Sequence, residues 1–192
     1  MLHTYNICKK VGIMIWDNRD FWIKIYNIRK RFNQIRCNIC KKEILHTAKS
    51  VGKNLTIGGP SKVTRHTIIG DGVCFNGMNI TGSGEVKIGR YFHSGIECMI
   101  ITQSHDYDNG DRIPYGTENV SKPVLIEDFV WLGSRVTILP GAKIREGAII
   151  QAGSVVHGEI PPYAIAGGNP ATVFKYRDIE HFNKLKEEQK FK

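Results

Sequence analysis

Among side chains able to take or give a proton near neutral pH, this chain has seven histidines and five cysteines. One histidine stands apart by its surroundings. His105 opens the run His105-Asp106-Tyr107-Asp108-Asn109-Gly110-Asp111-Arg112-Ile113-Pro114-Tyr115-Gly116, polar and turn-rich in the manner of lids and binding loops. Imidazole, with an unperturbed pKa of about 6.5, can accept a proton from a hydroxyl or amine at neutral pH without a large shift. His93 lies inside a patterned segment and could face a cleft. His3, His46, His66, His157 and His181 have no accompanying motif and read as surface or packing residues.

The remaining chemistry is mostly exclusion. Cys8, Cys37, Cys40, Cys74 and Cys98 are irregularly spaced and odd in number, which argues against a disulfide framework and for a reducing compartment. The lone Cys37-x-x-Cys40 pair has no second pair to complete a zinc site. Nothing resembling His-Glu-x-x-His indicates a metal, and no glycine-rich phosphate loop is present. A Gly-x-Ser-x-Gly elbow is absent, so a serine acyl-enzyme is not expected. The net charge of +9 suggests an anionic partner, but the cations spread over both ends and no recognition motif accompanies them, so nucleic acid is not expected. Met1 to Trp16 hold no signal-like apolar run, and no stretch approaches the roughly 20 apolar residues of a membrane span. The expected location is cytoplasmic.

The elements that must position these residues are set by a period of six. Ile126, Leu132, Ile138, Ile144, Ile150 and Val156 form an unbroken aliphatic series, with Val130, Val136, Ala142, Ala148, Ser154 and Ile160 four positions later. A helix would repeat every 3.6 residues and a long strand every second one, so six fits neither. It fits short strands joined by tight corners and stacked coil on coil. The phase recurs upstream as Val51, Ile57, Val63 and Ile69 with Leu55, Ser61, Thr67 and Val73. After a one-residue slip it continues as Ile88 and Phe92, Ser94 and Cys98, then Ile100 and Ser104. The expected organisation is a basic, partly helical cap over 1–49, a coil over 50–177 interrupted by a loop at 105–123, and a helix over 178–192.

The two ends read differently. Phe21, Ile25, Ile28, Phe32 and Ile35 share a helical face with basic residues around it, which suits either an anionic membrane surface, contacted through residues 19–35, or a cap on the open coil. Asp178 to Lys190 reads as a polar helix whose only stripe is Ile179, Phe182 and Leu185, packing loosely on the outside or on a neighbouring subunit.

The repeat, the His-Asp loop, the run Val130-Trp131-Leu132-Gly133-Ser134 and the closing Pro161-Pro162-Tyr163-Ala164-Ile165-Ala166-Gly167-Gly168-Asn169-Pro170-Ala171 together resemble the hexapeptide-repeat acyltransferases. The nearer likeness is to galactoside and maltose O-acetyltransferases, xenobiotic acetyltransferases and sugar acetyltransferases of surface-polysaccharide clusters. The resemblance implies an all-β, left-handed parallel β-helix, an exception to the right-handed crossover rule. It also implies a homotrimer with active sites between subunits, and acetyl-CoA as acyl donor with no metal. By the same resemblance His105 aligns with the catalytic histidine, and the Ser134 amide with the oxyanion donor, unless Ser134 is a mere corner residue. Asn76 would bind the acceptor, unless it too is only a corner residue, with His93, Asp106 and Tyr107 as further acceptor contacts. Trp131 would flank the pantetheine arm or fill a sheet surface. Gly133, Ala152, Gly153, Ala166 and Gly167 would leave room for that arm, and Lys175 and Arg177 would meet the coenzyme phosphates or form a solvated basic end. The acceptor expected is a sugar hydroxyl in bacterial surface-polysaccharide synthesis. An amino group on a nucleotide-linked sugar, a xenobiotic and a non-catalytic scaffold are the alternatives. A carbonic anhydrase on the same coil would need three metal histidines that the spacing does not supply.

Overall fold

The computed structural model describes residues 19–192. Cys8, His3 and the segment Met1 to Trp16 lie outside the described residues. The described residues fall into two units that divide between Gln34 and Ile35.

The second unit is a parallel β-helix. One face stacks β1 (Ser50–Val51), β3 (Thr67–Ile69), β6 (Val86–Ile88), β11 (Val124–Ile126), β14 (Lys143–Ile144) and β17 (Glu159–Ile160). The second face stacks β2 (Thr56–Ile57), β4 (Cys74–Phe75), β7 (His93–Ser94), β12 (Trp131–Leu132), β15 (Ile149–Ile150) and β18 (Ala164–Gly168), closed by the antiparallel β19 (Ala171–Tyr176). The third holds β5 (Met78–Thr81), β8 (Cys98–Ile101), β13 (Thr137–Ile138) and β16 (Val155–Val156). Three sides of six residues make a coil of eighteen, seen in the register Ile126 to Ile144. The slip read from the sequence appears as the pairing of Ile69 with Ile88, one residue longer. This is the all-β coil expected, in keeping with the left-handed winding that the resemblance implies.

Each strand is too short to be stable alone; burial of its inward side chain against the next coil supplies the stability. Ile126, Leu132, Ile138, Ile144, Ile150 and Val156 are all fully buried, and so are Val130, Val136, Ala142 and Ala148 at the corners. Polar residues inside the coil bond to backbone. Thr102 Oγ1 donates to the Thr81 carbonyl at 2.9 Å and accepts from the Gly84 amide at 3.1 Å, and Ser154 Oγ accepts from the Gly168 amide at 3.1 Å. Buried hydroxyls so partnered avoid the desolvation penalty of an unmet group.

The repeat leaves the coil earlier than its spacing suggests. Ser104 is exposed, and Thr102 is the last inward residue before the excursion. Ser104 belongs instead to β9 (Gln103–His105), which pairs antiparallel with β10 (Asn119–Ser121) to make the base of an arm. Helix α1 (Arg19–Thr47) buries Cys37 and Ile44 in the core cluster near its C-terminal end. Helix α2 (Ile179–Glu187) is capped by Asp178, whose carboxylate accepts from the His181 amide at 2.9 Å. Such a cap satisfies one of the helix's first amides.

Candidate active site

On the second face, side chains alternate between core and exterior. Phe75, Ser94, Leu132, Ile150 and Ala166 point inward and are buried. Their preceding neighbours form an outward ladder in which Cys74 pairs with His93, His93 with Trp131, and Trp131 with Ile149. Trp131 is about half exposed on this face.

Asn76 is tied into the ladder. Its backbone amide donates to Ser94 Oγ at 3.2 Å, and its Nδ2 donates to the Ser94 carbonyl at 2.8 Å. The second Nδ2 hydrogen is left to reach His93 Nε2 at 3.0 Å. A ring nitrogen that accepts carries no proton, so His93 is a neutral imidazole protonated on Nδ1. Burial, and secondarily the charge of Lys192, hold the His93 pKa below its ordinary value. The corner reading of Asn76 thus has a concrete content: the residue orients a histidine.

The corner after Trp131 contains Gly133 and Ser134. Gly95, one coil earlier, lies so close that a Cβ there would sit 2.5 Å from the Ser134 nitrogen and 2.6 Å from the Gly133 carbonyl carbon. One coil later the Gly153 amide donates to the Ser134 carbonyl at 2.8 Å. Gly153 itself adopts φ +74° with open space where a side chain would stand. Cys98 donates its thiol to the Gly133 carbonyl at 3.1 Å, and burial pushes that thiol's pKa up, keeping it a donor. Gly133, Ser134, Ala152 and Gly153 therefore line consecutive coils at one corner. Ala166 follows in register with Ile150 and is wholly buried in the core. Gly167 abuts the Gln151 side chain.

His105 sits on the arm. Its ring stacks on Tyr115, centroids 3.9 Å apart with 7° between planes. The arm folds around Asp106, whose Oδ1 accepts from the Asn109 amide at 2.8 Å while its carbonyl accepts from the Gly116 amide at 3.0 Å. Tyr107 is exposed. Tyr115 was not singled out in the sequence, because a contact ten residues away in an irregular loop has no periodic signal.

The C-terminal helix buries none of its residues, in keeping with its sparse stripe, and is held by a few contacts. Phe182 makes edge contacts with Phe129 at 5.8 Å and Tyr163 at 5.1 Å, and Lys186 pairs with Glu146. The receptor is a column of aromatic corner residues, Tyr91, Phe129 and Tyr163, each with positive φ. Each stands one residue ahead of a buried repeat position, a signal the sequence contained. Between this column, α2 and the ladder lies a cleft of about 410 Å³ lined by His93, Trp131, Phe129, Arg177, Phe182 and Lys186. Arg177 Nη1 donates to the Gly147 carbonyl at 3.0 Å, and its guanidinium lies over the Phe182 ring. Burial lowers its pKa. Lys175 is exposed on β19. Among the described residues no cluster of histidine, cysteine or carboxylate side chains could hold a metal ion.

Coils of six-residue sides around an aliphatic core define a hexapeptide-repeat β-helix protein. Residues 123–158 match the family model for the bacterial transferase hexapeptide of six repeats, and the fold is that of the hexapeptide-repeat acetyltransferases. A provisionally named acetyltransferase of Saccharomyces cerevisiae is 34% identical over 124 residues, covering 65% of this chain and 57% of that protein. The chain spans from 28% to 57% of the length of the curated relatives it matches. Among solved structures, the maltose O-acetyltransferase of Clostridium difficile superposes with TM-score 0.64 at 26% identity, covering 84% of this chain and 90% of that one. A hexapeptide-repeat acetyltransferase of Vibrio cholerae in complex with acetyl coenzyme A superposes with TM-score 0.62 at 27% identity, covering 69% and 73%.

Proposed function

We propose that the chain is an acetyl-CoA-dependent acetyltransferase whose acceptor is a sugar hydroxyl, acting in bacterial surface-polysaccharide synthesis. The observation that carries this reading is the Gly133–Ser134 corner, where Gly95 on the preceding coil lets the Ser134 backbone pack close and Gly153 on the next leaves open space where a side chain would stand. The likeness to a coenzyme-bound neighbour and to a maltose O-acetyltransferase supports it.

In this reading the thioester carbonyl lies at the corner and the pantetheine arm runs along Gly133, Ala152 and Gly153, with Trp131 beside it. Lys175 and Arg177 are the cations nearest the coil's end for the coenzyme phosphates. His105 removes the acceptor proton as its oxygen attacks the thioester carbon. The Ser134 amide donates to the developing oxyanion, a preorganised donor that needs no reorganisation. Collapse expels coenzyme A as thiol, and the proton held by His105 is available to it. Asn76, His93, Asp106 and Tyr107 hold the acceptor. The His105 arm of one subunit meets the ladder and corner of its neighbour in a homotrimer.

The test is thiol release from acetyl-CoA with a panel of glycans, nucleotide-linked amino sugars and drugs. His105→Ala should lower turnover by roughly 10² to 10⁴. Turnover on amino sugars or drugs alone would move the acceptor class. Full turnover without His105 would remove that residue from the catalytic role, and no turnover with any acceptor would favour a scaffold.

A further inference from the structure

Helix α1 does two separate things along its length. At about 100° per residue, Ile25, Ile28, Phe32, Ile35 and Ile39 fall within a stripe about 80° wide, whereas Cys37 and Ile44 fall on the opposite side. Cys37 and Ile44 are buried in the core cluster. Among the described residues the stripe stays exposed: Ile28 is 51% exposed, Phe32 64%, Ile35 48% and Ile39 52%. Four large apolar side chains in a row at that exposure mark an interaction surface. Burial of Cys37 and Ile44 accounts for the more C-terminal turns and leaves the stripe unexplained.

The flanks of the stripe indicate what covers it. Lys24 and Arg31 border one side, and Arg29 and Arg36 the other. Between Arg19 and Arg36 there are six cations, Arg19, Lys24, Arg29, Lys30, Arg31 and Arg36, against the single carboxylate of Asp20. The helix is not apolar enough to cross a membrane, and an apolar stripe edged by cations lies in the plane of the interface instead. A second copy is a poorer occupant, because packing stripe on stripe would bring the two sets of cations together.

We propose that α1 docks the protein on a membrane surface bearing anionic lipid headgroups, with Ile28, Phe32, Ile35 and Ile39 in the acyl boundary and the flanking cations at the phosphates. This site is independent of the acyl-transfer reading.

The test is flotation of the full chain with vesicles of phosphatidylcholine alone or with about 30% phosphatidylglycerol added. Wild type should float with the anionic vesicles and detach as salt rises. Ile28→Asp with Phe32→Asp should weaken that binding at least about tenfold, and Lys24→Glu with Arg29→Glu, which leaves the stripe intact, should also weaken it. The melting transition of the coil, expected unchanged, reports that the variants fold. Failure of wild type to float, or floating that survives the aspartate pair, overturns the proposal. A fall in molecular mass of the lipid-free aspartate variant assigns the face to a second copy and overturns it too.

Discussion

His93 and His105 are held in different ways. His93 is locked by Asn76 in its neutral form, Nε2 accepting, so it cannot take a proton there without breaking that bond. Its pKa is depressed by burial. The unfolded chain, at about 6.5, therefore binds the proton first. The stability contributed by the neutral pair is complete above that value and is lost as pH falls through the folded one. An NMR titration should place the His93 midpoint below about 6.5, Asn76→Ala should raise it, and the urea midpoint of the wild type should drop on acidification. His105 has no such lock. A parallel stack on Tyr115 fixes the plane of its ring while leaving both nitrogens to solvent or substrate. Ring stacking is worth about 0.5–1.5 kcal/mol, so Tyr115→Ala should lower kcat about three- to tenfold. Tyr115→Phe, which keeps the stack, should leave kcat close to wild type.

At the scale of elements, the corners matter more than the strands. Two-residue strands such as β12 do little beyond setting register, whereas the corner after it places the Ser134 amide. That placement depends on Gly95, whose missing Cβ lets successive coils approach. The atoms a new methyl would strike are backbone, which cannot rotate aside. Gly95→Ala should destabilise the coil by about 1–3 kcal/mol through overpacking and depress acetyl transfer beyond what residual folding explains. A thermal melt beside a turnover assay distinguishes the two effects. Helix α2 shows the opposite economy, since one ring, Phe182, docks it on a column of corner aromatics.

For the molecule as a whole, the core was legible in the sequence because burial in a β-helix is periodic. A six-residue step brings the chain to the same inward position on the next side, so Ile126 to Val156 announce themselves as a series. The same logic marked the interruption at His105, since loss of period is as visible as its presence. The end of the period was misplaced at Ser104, because a serine there suits a coil corner as well as an exposed arm. Only the tertiary structure paired Asn76 with His93, seventeen residues apart, Cys98 with Gly133, thirty-five apart, and His105 with Tyr115. Hydrogen bonds and ring stacks act through distances and angles of single atoms, which no spacing rule encodes. The sequence by itself determined the coil and where it breaks, because hydrophobic burial needs only residue type and phase. The tertiary structure decided which polar groups meet, which side of α1 stays exposed among the described residues, and how the His93 and His105 rings are each held.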